Sequence, residues 1–303
     1  MHVPQIEMSP NGPGMSRIAI GFWRLMEWKF TPSEIVKLVE QSLELGITTT
    51  DHASIYGGYR CEKEFGKALQ LAPGLRDKIQ IVTKCGIETR CEAKPQNALG
   101  HYDTRTAVII ETAERSLQNF GIDCIDLLLV HRPDPLMDAD AVAEAFMHLR
   151  QEGKVLHFGV SNFTPWQFNL LQSRLDFPLV TNQVEISPLE FEVMHDGTLD
   201  QCQQLRIVPQ AWSPFAGGAF FTGKSEQAIR VRDECNKIAQ EIGTDGIDQV
   251  ALAWLLEHPA RIQPVLGTGK IERIKSAARA CSLDLSRQQW FRIWVASKGH
   301  GVP

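Results

Sequence analysis

Short apolar runs rich in β-branched residues alternate with helix-like segments eight times along the chain, and this alternation limits the fold more than any other feature. Some runs, such as IDLLLV at 125–130, are almost wholly apolar, as expected of strands covered on both faces. The alternation predicts repeated βα units and a parallel sheet of the α/β class. The predicted strands cover residues 17–21, 47–51, 79–84, 125–131, 155–160, 179–184, 207–211 and 262–266.

Eight βα units without a linker between them predict a single closed (β/α)8 barrel, or TIM barrel, over residues 1–303, because closure leaves no exposed sheet edge. Turn residues in 8–16 (MSPNGPGMS) predict a hairpin-like N-terminal extension, and 286–297 (SRQQWFRIWVAS) predicts an extra C-terminal amphipathic helix. The alternative is a doubly wound open sheet, but the sequence G-x-G-x-x-G is missing after the first predicted strand.

Several predicted helices begin at residues that cap helix N-termini. The clearest start is TPSE, where Thr31 can cap, Pro32 occupies the first turn and Glu34 completes a capping box. Gly46 is placed to end that helix. The other predicted starts are Thr104, Asp138, and Thr164 followed by Pro165.

The charge balance argues against several classes of partner. A net charge of -5 gives no basic surplus for a nucleic-acid backbone. The first residues lack the apolar run of a signal peptide, and no apolar stretch approaches the roughly 20 residues that span a bilayer. We therefore expect a soluble, cytoplasmic protein that binds neither nucleic acid nor membrane and that acts as a monomer.

The seven cysteines form no C-x-x-C pair and have no histidines at zinc-ligand spacing. We therefore expect reduced thiols and no metal site. Cys85 follows Lys84 directly, so this thiol is either activated by the lysine or buried and inert.

Polar residues that follow predicted strands are the candidates for chemistry, because functional groups of such barrels gather at the carboxyl ends of the strands. Four residues qualify: Asp51, Tyr56, Lys84 and His131. Each one alone could be structural: a helix cap, a rim aromatic, a surface charge or a core histidine. Together they predict a functional site, because buried charges brought together for stability alone are costly.

This group suits proton transfer to a carbonyl oxygen. The Tyr56 phenol is a weak acid at neutral pH, and a nearby Lys84 ammonium would favour its phenolate and lower its pKa. Asp51 would hold Lys84 by a charge-assisted hydrogen bond. His131 could position the carbonyl oxygen by a hydrogen bond.

Four segments carrying or flanking these residues resemble the aldo-keto reductases: TDHASIYGGY, TKCG, DLLLVHRPD and KVLHFGVSNF. The resemblance runs from about Arg17 to the last predicted helix and extends to bacterial oxidoreductases of that family. It implies that Tyr56 is the general acid, that Lys84 and Asp51 tune it, and that His131 orients the carbonyl.

A reductase needs a hydride donor, and a nicotinamide is the economical choice because no flavin or metal motif is present. By the family's motifs, Ser161, Asn162 and Gln183 resemble the ligands of the nicotinamide carboxamide, and Trp212 the aromatic that stacks on its ring. Gly21, Phe22 and Trp23 follow the first predicted strand and would approach the cofactor by their backbone. Small-molecule substrate is expected to contact Trp23, Trp28, Tyr56 and His131.

Two later segments suit the cofactor's phosphates. The small-residue loop with Ser213, Pro214, Gly217 and Gly218 could lie against a pyrophosphate. A predicted helix start carries Gly267, Thr268, Gly269, Lys270 and Arg273, whose donors and cations favour NADP(H) over NAD. Gly267 replaces a lysine common in the family, and Ser276 and Ala277 replace a polar pair. Lys270 and Arg273 could instead form a solvated helix face.

The predicted function is therefore NADPH-dependent reduction of an aldehyde or ketone. Two alternatives stay open. One is an aldolase in which Lys84 forms a Schiff base. The other is a nicotinamide-binding redox sensor that regulates a protein partner. The physiological substrate is not specified by the sequence, since loops line its pocket.

Overall fold

Eight parallel strands form a closed barrel in the computed structural model, which describes residues 2–302. The strands are β1 (Ala19–Gly21), β2 (Thr49–Asp51), β3 (Gln80–Cys85), β4 (Ile125–Val130), β5 (Val155–Ser161), β6 (Leu179–Glu185), β7 (Gln210–Trp212) and β8 (Gln263–Leu266). They follow one another around the barrel in chain order, and β8 pairs with β1. The predicted closed barrel is confirmed, and the open sheet is wrong.

The longer helices surround the barrel. They are α1 (Pro32–Glu44), α2 (Cys61–Leu71), α3 (Thr106–Phe120), α4 (Ala139–Gln151), α5 (Pro165–Gln172), α6 (Thr198–Leu205), α7 (Glu226–Ile242), α8 (Ile247–Leu256), α9 (Ile271–Arg279) and α10 (Arg287–Lys298). Short helical turns cover Leu25–Trp28, Tyr56–Tyr59 and Ala219–Thr222, and 3-10 turns cover Pro73–Lys78, Glu192–Met194, Ala216–Gly218 and Ala280–Ser282. The predicted extra C-terminal helix is α10.

Three helices begin with a complete capping box, at Thr31, Thr164 and Ser286. Asp138 also caps its helix. The predicted start at Thr104 is wrong: α3 begins two residues later, after Arg105. The Thr104 hydroxyl donates instead to an oxygen of Asp134, 3.0 Å away, which holds this side chain against residue 134 rather than at the start of the helix.

Several strands start later than predicted because their first residues bond to other partners. The Arg17 amide donates to the Pro4 carbonyl, and the Val208 amide donates to the Met8 carbonyl. Pro209 has no amide hydrogen to donate. At the start of β2, the amides of Thr48 and Thr49 both donate to the Ser16 hydroxyl, 3.0 Å away.

An N-terminal hairpin closes the end of the barrel at which the strands begin. Its strands, Gln5–Glu7 and Gly14–Ser16, pair antiparallel. Ile6, Met8 and Met15 are buried against side chains of the barrel interior: Val82, Leu127, Leu129, Val180 and Val208. We call this group the floor cluster. A second, unpredicted hairpin, Ile87–Glu88 with His101–Tyr102, lies beyond the other end of β3.

Candidate active site

The four predicted residues meet at the carboxyl end of the barrel. Asp51 is the last residue of β2, Lys84 lies near the end of β3, and His131 follows β4. Tyr56 begins the helical turn Tyr56–Tyr59. Polar residues that follow the strands were expected to share one site. The structure brings four of them together, although they are up to 80 positions apart in the chain.

Lys84 is fully buried and held from several sides. Its Nζ donates to both carboxylate oxygens of Asp51, each at 2.8 Å, and to the His52 carbonyl at 2.7 Å. The Tyr56 Oη lies 3.4 Å from the same nitrogen. The interpretation of Lys84 as a surface charge is wrong, because the ammonium is desolvated and charge-paired beside a phenol.

The Tyr56 and His131 rings face each other edge-on, with centroids 5.8 Å apart, and both are partly exposed. Burial, reinforced by the Asp51 charge, raises the pKa of Tyr56 well above its ordinary value. The expectation of a lowered pKa is wrong in its net direction, because burial is the largest effect on this phenol. Burial and the Lys84 charge lower the pKa of His131 well below its ordinary value. At neutral pH the site thus holds a protonated phenol and an uncharged imidazole.

A left-handed turn positions Tyr56. Gly57 and Gly58 have φ values of 59° and 65°, a conformation that favours glycine. A Cβ on Gly57 would lie 2.4 Å from the Met26 Cγ, so a larger residue does not fit there. The turn carries the chain from β2 into α2 with the phenol directed back over Lys84.

The residues matched to the carboxamide ligands form one hydrogen-bonded group. The Ser161 hydroxyl donates to the Gln183 carbonyl (2.7 Å), the Asn162 amide donates to the Ser161 hydroxyl (2.7 Å), and the Trp212 indole donates to Asn162 Oδ1 (2.9 Å). Gln183 Nε2 donates to Asp51 Oδ2 at 2.7 Å, which joins this group to the Lys84 pair. These predicted residues therefore border the same space as Tyr56.

The first-strand residues divide by exposure. Gly21 ends β1 beside Asp51. Phe22 is buried, with its ring stacked on His52 at 4.8 Å, so only its backbone can reach a ligand. The Trp23 side chain is 56% exposed, which suits a residue at the mouth of a pocket. Trp28 packs on Phe22 and also contacts Gly269. A Cβ added to Gly269 would lie only 2.8 Å from the Trp28 ring.

The two predicted phosphate segments follow β7 and β8. Ser213, Gly217 and Gly218 have left-handed backbone, with Pro214 buried between them. Gly267, Thr268 and Gly269 lead to Lys270, which precedes α9. Arg273 lies in the first turn of α9, and both cations are exposed. Among residues 2–302 neither cation has an ion-pair partner, so both can meet an anion.

Five further residues belong to this region and were not predicted: His52, Arg132, Glu185, Gln210 and Gln263. The Arg132 guanidinium lies 5.3 Å from the centre of the Trp212 ring. Glu185 follows Gln183 by two positions in β6, so both side chains face the same side of the strand. This spacing in the sequence could have identified Glu185. Gln210 and Gln263 interrupt apolar runs, and a lone polar residue within a buried strand could have identified them.

The cysteines form no disulfide in the part of the chain that is described. All seven are free, and Cys85 is fully buried. Burial raises the pKa of the Cys85 thiol to about 12, which supports the inert alternative. Residues 2–302 contain no cluster of three or more His, Cys, Asp or Glu side chains able to hold a metal ion. Within the same range, each helix is too short or too polar to cross a membrane.

The closed barrel with this aspartate, tyrosine, lysine and histidine at its carboxyl end is the arrangement expected of a barrel-type oxidoreductase. The chain belongs to the aldo/keto reductase family, whose family model matches residues 17–296. Members of this family generally use nicotinamide cofactors.

Relatives extend this result over nearly the whole chain. The chain is 54% identical to the oxidoreductase YdhF of Escherichia coli over 301 residues, which cover 99% of this chain and 100% of YdhF. It is 45% identical to a 6-dehydroglucose reductase of Agrobacterium fabrum, with 95% and 96% covered. A solved glycerol dehydrogenase from Gluconobacter oxydans has the same fold, with a TM-score of 0.84 at 24% identity and coverage of 98% and 95%. The predicted family and its similarity to bacterial oxidoreductases are confirmed.

Proposed function

We propose that this protein reduces an aldehyde or ketone to an alcohol with NADPH, and that Tyr56 is the proton donor. The observation that carries the proposal is the 3.4 Å separation between the Tyr56 Oη and the buried Lys84 Nζ, which is itself paired with Asp51. A phenol beside a desolvated ammonium can release its proton when a nearby oxygen becomes negative, because the ammonium stabilises the phenolate that remains.

Each residue has one step in this mechanism. The raised pKa keeps Tyr56 protonated at neutral pH, so its O–H can donate to the carbonyl oxygen. His131, uncharged at neutral pH, donates a hydrogen bond to the same oxygen from its N–H and so positions the carbonyl. Asp51 keeps Lys84 charged and fixes its direction. A nicotinamide held beside Gln183 and Trp212 would supply the hydride.

The residues present fit a nicotinamide cofactor. Both Gln183 Nε2 hydrogens are used within the protein, and among the described residues Gln183 Oε1 accepts no hydrogen bond, so this oxygen is available to a carboxamide N–H. Trp212 offers an aromatic surface beside it. Lys270 and Arg273 would meet the additional phosphate of NADPH, since both are exposed near the start of α9.

The contacts of Lys84 favour this function over a Schiff-base aldolase. A lysine nucleophile must be neutral and able to reach its substrate. Here the Nζ hydrogens are directed to Asp51 and to the His52 carbonyl, and the side chain is fully buried. We infer a positioning and electrostatic role for Lys84. Failure of borohydride to trap an adduct at this residue would agree with that role.

The relatives suggest where to look for a substrate. Two of them, 45% and 35% identical to this chain, are named 6-dehydroglucose reductases, so a sugar carbonyl is a reasonable first test. Polar groups at the mouth of the site, Arg132 and Glu185, could bind hydroxyl groups of such a compound. We propose a small hydroxylated carbonyl compound as the substrate class.

The test is a screen of NADPH and NADH oxidation with aldehydes, ketones, quinones and 6-dehydroglucose. Tyr56→Phe should lower turnover by about 10² to 10⁴ because the general acid is lost. It should keep its NADPH Kd within about twofold, since the phenol is not a phosphate contact. Tyr102→Phe, which changes an exposed tyrosine in the second hairpin, is the matched control and should retain full turnover. Near-normal turnover by Tyr56→Phe would exclude Tyr56 as proton donor.

A further inference from the structure

Three buried glutamines stand at one level on neighbouring strands of the barrel. Gln183 of β6 is the register partner of Gln210 of β7, and Gln210 is the register partner of Gln263 of β8. Gln210 and Gln263 are fully buried, and Gln183 is 2% exposed. Barrel interiors are usually filled by branched apolar side chains, so three adjacent amides at one level require a reason.

The three side chains form one directed series of hydrogen bonds. Gln263 Nε2 donates to the Ser16 carbonyl, and Gln210 Nε2 donates to Gln263 Oε1 at 2.7 Å. Gln183 Nε2 donates to Gln210 Oε1 at 3.0 Å and to Asp51 Oδ2 at 2.7 Å. We call Gln183, Gln210 and Gln263 the glutamine ladder. It joins Ser16, the last residue of the N-terminal hairpin, to the carboxylate that pairs with Lys84.

The two ends of the ladder set its direction. A backbone carbonyl and a carboxylate only accept hydrogen bonds, so an amide N–H must face each of them. Gln263 must therefore turn its nitrogen to Ser16, which leaves its oxygen for Gln210 and the Gln210 oxygen for Gln183. As a result both hydrogens of Gln183 Nε2 are engaged, and its oxygen faces the remaining space of the site.

We propose that Gln210, supported by Gln263, is a positioning residue that fixes the amide of Gln183 so that Oε1 accepts from the nicotinamide carboxamide. Gln210 itself touches neither cofactor nor substrate and acts through Gln183. This inference rests on the proposed function, because it assumes that a nicotinamide binds beside Gln183.

The test uses binding rather than turnover. NADP and its 3-acetylpyridine analogue, which carries a methyl group in place of the carboxamide nitrogen, are compared by quenching of tryptophan fluorescence. The wild-type protein should bind the analogue about tenfold more weakly, as for one lost hydrogen bond. Gln210→Met has a similar volume but removes one hydrogen-bond acceptor of Gln183 Nε2. The ratio of the Kd for the analogue to the Kd for NADP should therefore fall to about twofold or less.

A conservative variant separates positioning from packing. Gln210→Glu, which burial keeps protonated, offers an acceptor oxygen to Gln183 Nε2 and an O–H to Gln263 Oε1 at the same distance along the side chain, so it should restore most of the wild-type ratio. Gln263→Met removes the support one step further away and should lower the ratio in the same direction but less. It also serves as the second variant if Gln210→Met does not fold.

The matched control is Gln201→Met. Gln201 is also a buried glutamine, and its Nε2 donates to the Pro165 carbonyl and Asn169 Oδ1, outside the ladder. That variant should lower Tm without changing the ratio. A wild-type ratio kept by both Gln210→Met and Gln263→Met would overturn the positioning role alone. Failure of the wild-type protein to bind NADP would overturn the proposed function together with it.

Discussion

At the end where the strands begin, the barrel interior is filled by Val82, Leu127 and Leu129 beneath Met8 and Met15. Two residues further along the same strands, the interior becomes charged and polar. In β3, Val82 gives way to Lys84, and in β4, Leu129 is followed at the same spacing by His131. Because side chains alternate with a period of two, a strand can supply packing and chemistry within about 7 Å. In β3 and β4, packing and chemistry are thus separated along the strand rather than between strands.

The largest expected effect lies at the charged end. Asp51→Leu would leave the Lys84 ammonium buried without its carboxylate, which should cost about 3–5 kcal/mol in the free energy of unfolding. Lys84→Met should be destabilising for the converse reason. The double variant Asp51→Leu/Lys84→Met should recover much of that loss, because no unpaired charge remains, while turnover stays at least about a hundredfold reduced.

Urea unfolding and steady-state turnover of the three variants measure these effects. A double variant that is less stable than both single variants would contradict the expectation that an unpaired buried charge causes the loss of stability at the charged end. That result would mean that the two side chains stabilise the fold separately, through contacts other than their mutual charge pairing.

A somewhat smaller effect on stability, with none on chemistry, is expected at the apolar end. Met15 is fully buried in the floor cluster, so Met15→Ala should lower the free energy of unfolding by about 2–5 kcal/mol. Its kcat/KM should stay within about twofold of wild type at a temperature where it is folded. Met147→Ala, on the exposed side of α4, is the control and should change stability by less than about 0.5 kcal/mol. A large drop in kcat/KM of folded Met15→Ala would show that the two ends are coupled.

The smallest effect concerns a polar group beside the charged end that lacks a partner. Neither ring nitrogen of His52 has a hydrogen-bond partner among the described residues, and its ring lies between Phe22, Phe65 and Phe120. Burial and the Lys84 charge lower the pKa of His52 well below 6.5. The unfolded chain therefore binds the proton more readily, so the folded protein loses stability as the pH falls below about 6.5.

His52→Phe should remove this contribution. Between about pH 6.5 and 5 its free energy of unfolding should fall less steeply than that of the wild type, by up to about 1.4 kcal/mol per pH unit. Urea unfolding at several pH values measures the slope, with His148→Phe, a change on the exposed part of α4, as the control. Equal slopes in His52→Phe and wild type would mean that the histidine finds a proton-accepting partner in solution.

Much of the fold follows from the sequence because its signals are local and repeated. Apolar runs gave all eight strands, and the residues that end them gave Asp51, Lys84 and His131. What escaped prediction depends on distant contacts. The late starts of β1 and β7 follow from bonds to the N-terminal hairpin, and the role of Thr104 follows from a bond to Asp134.

The pKa values of the site residues were harder to predict than which residues form the site. A lysine near a tyrosine suggested a lowered pKa, but the depth of burial reversed the direction. The glutamine ladder was missed for a related reason. Gln210 and Gln263 each look like a single polar interruption in a strand, and only the register of β6, β7 and β8 aligns them with Gln183.

Closure of the barrel pairs its first strand with its last, since Ala19 of β1 lies beside Val265 of β8. During synthesis on the ribosome, β1 therefore emerges with one unpaired edge that stays open until β8 has been made. Such an edge invites pairing with another nascent chain. The last strand to arrive both protects the protein from aggregation and brings Gln263 into place, so a prematurely terminated product would lack solubility and an ordered reaction centre together.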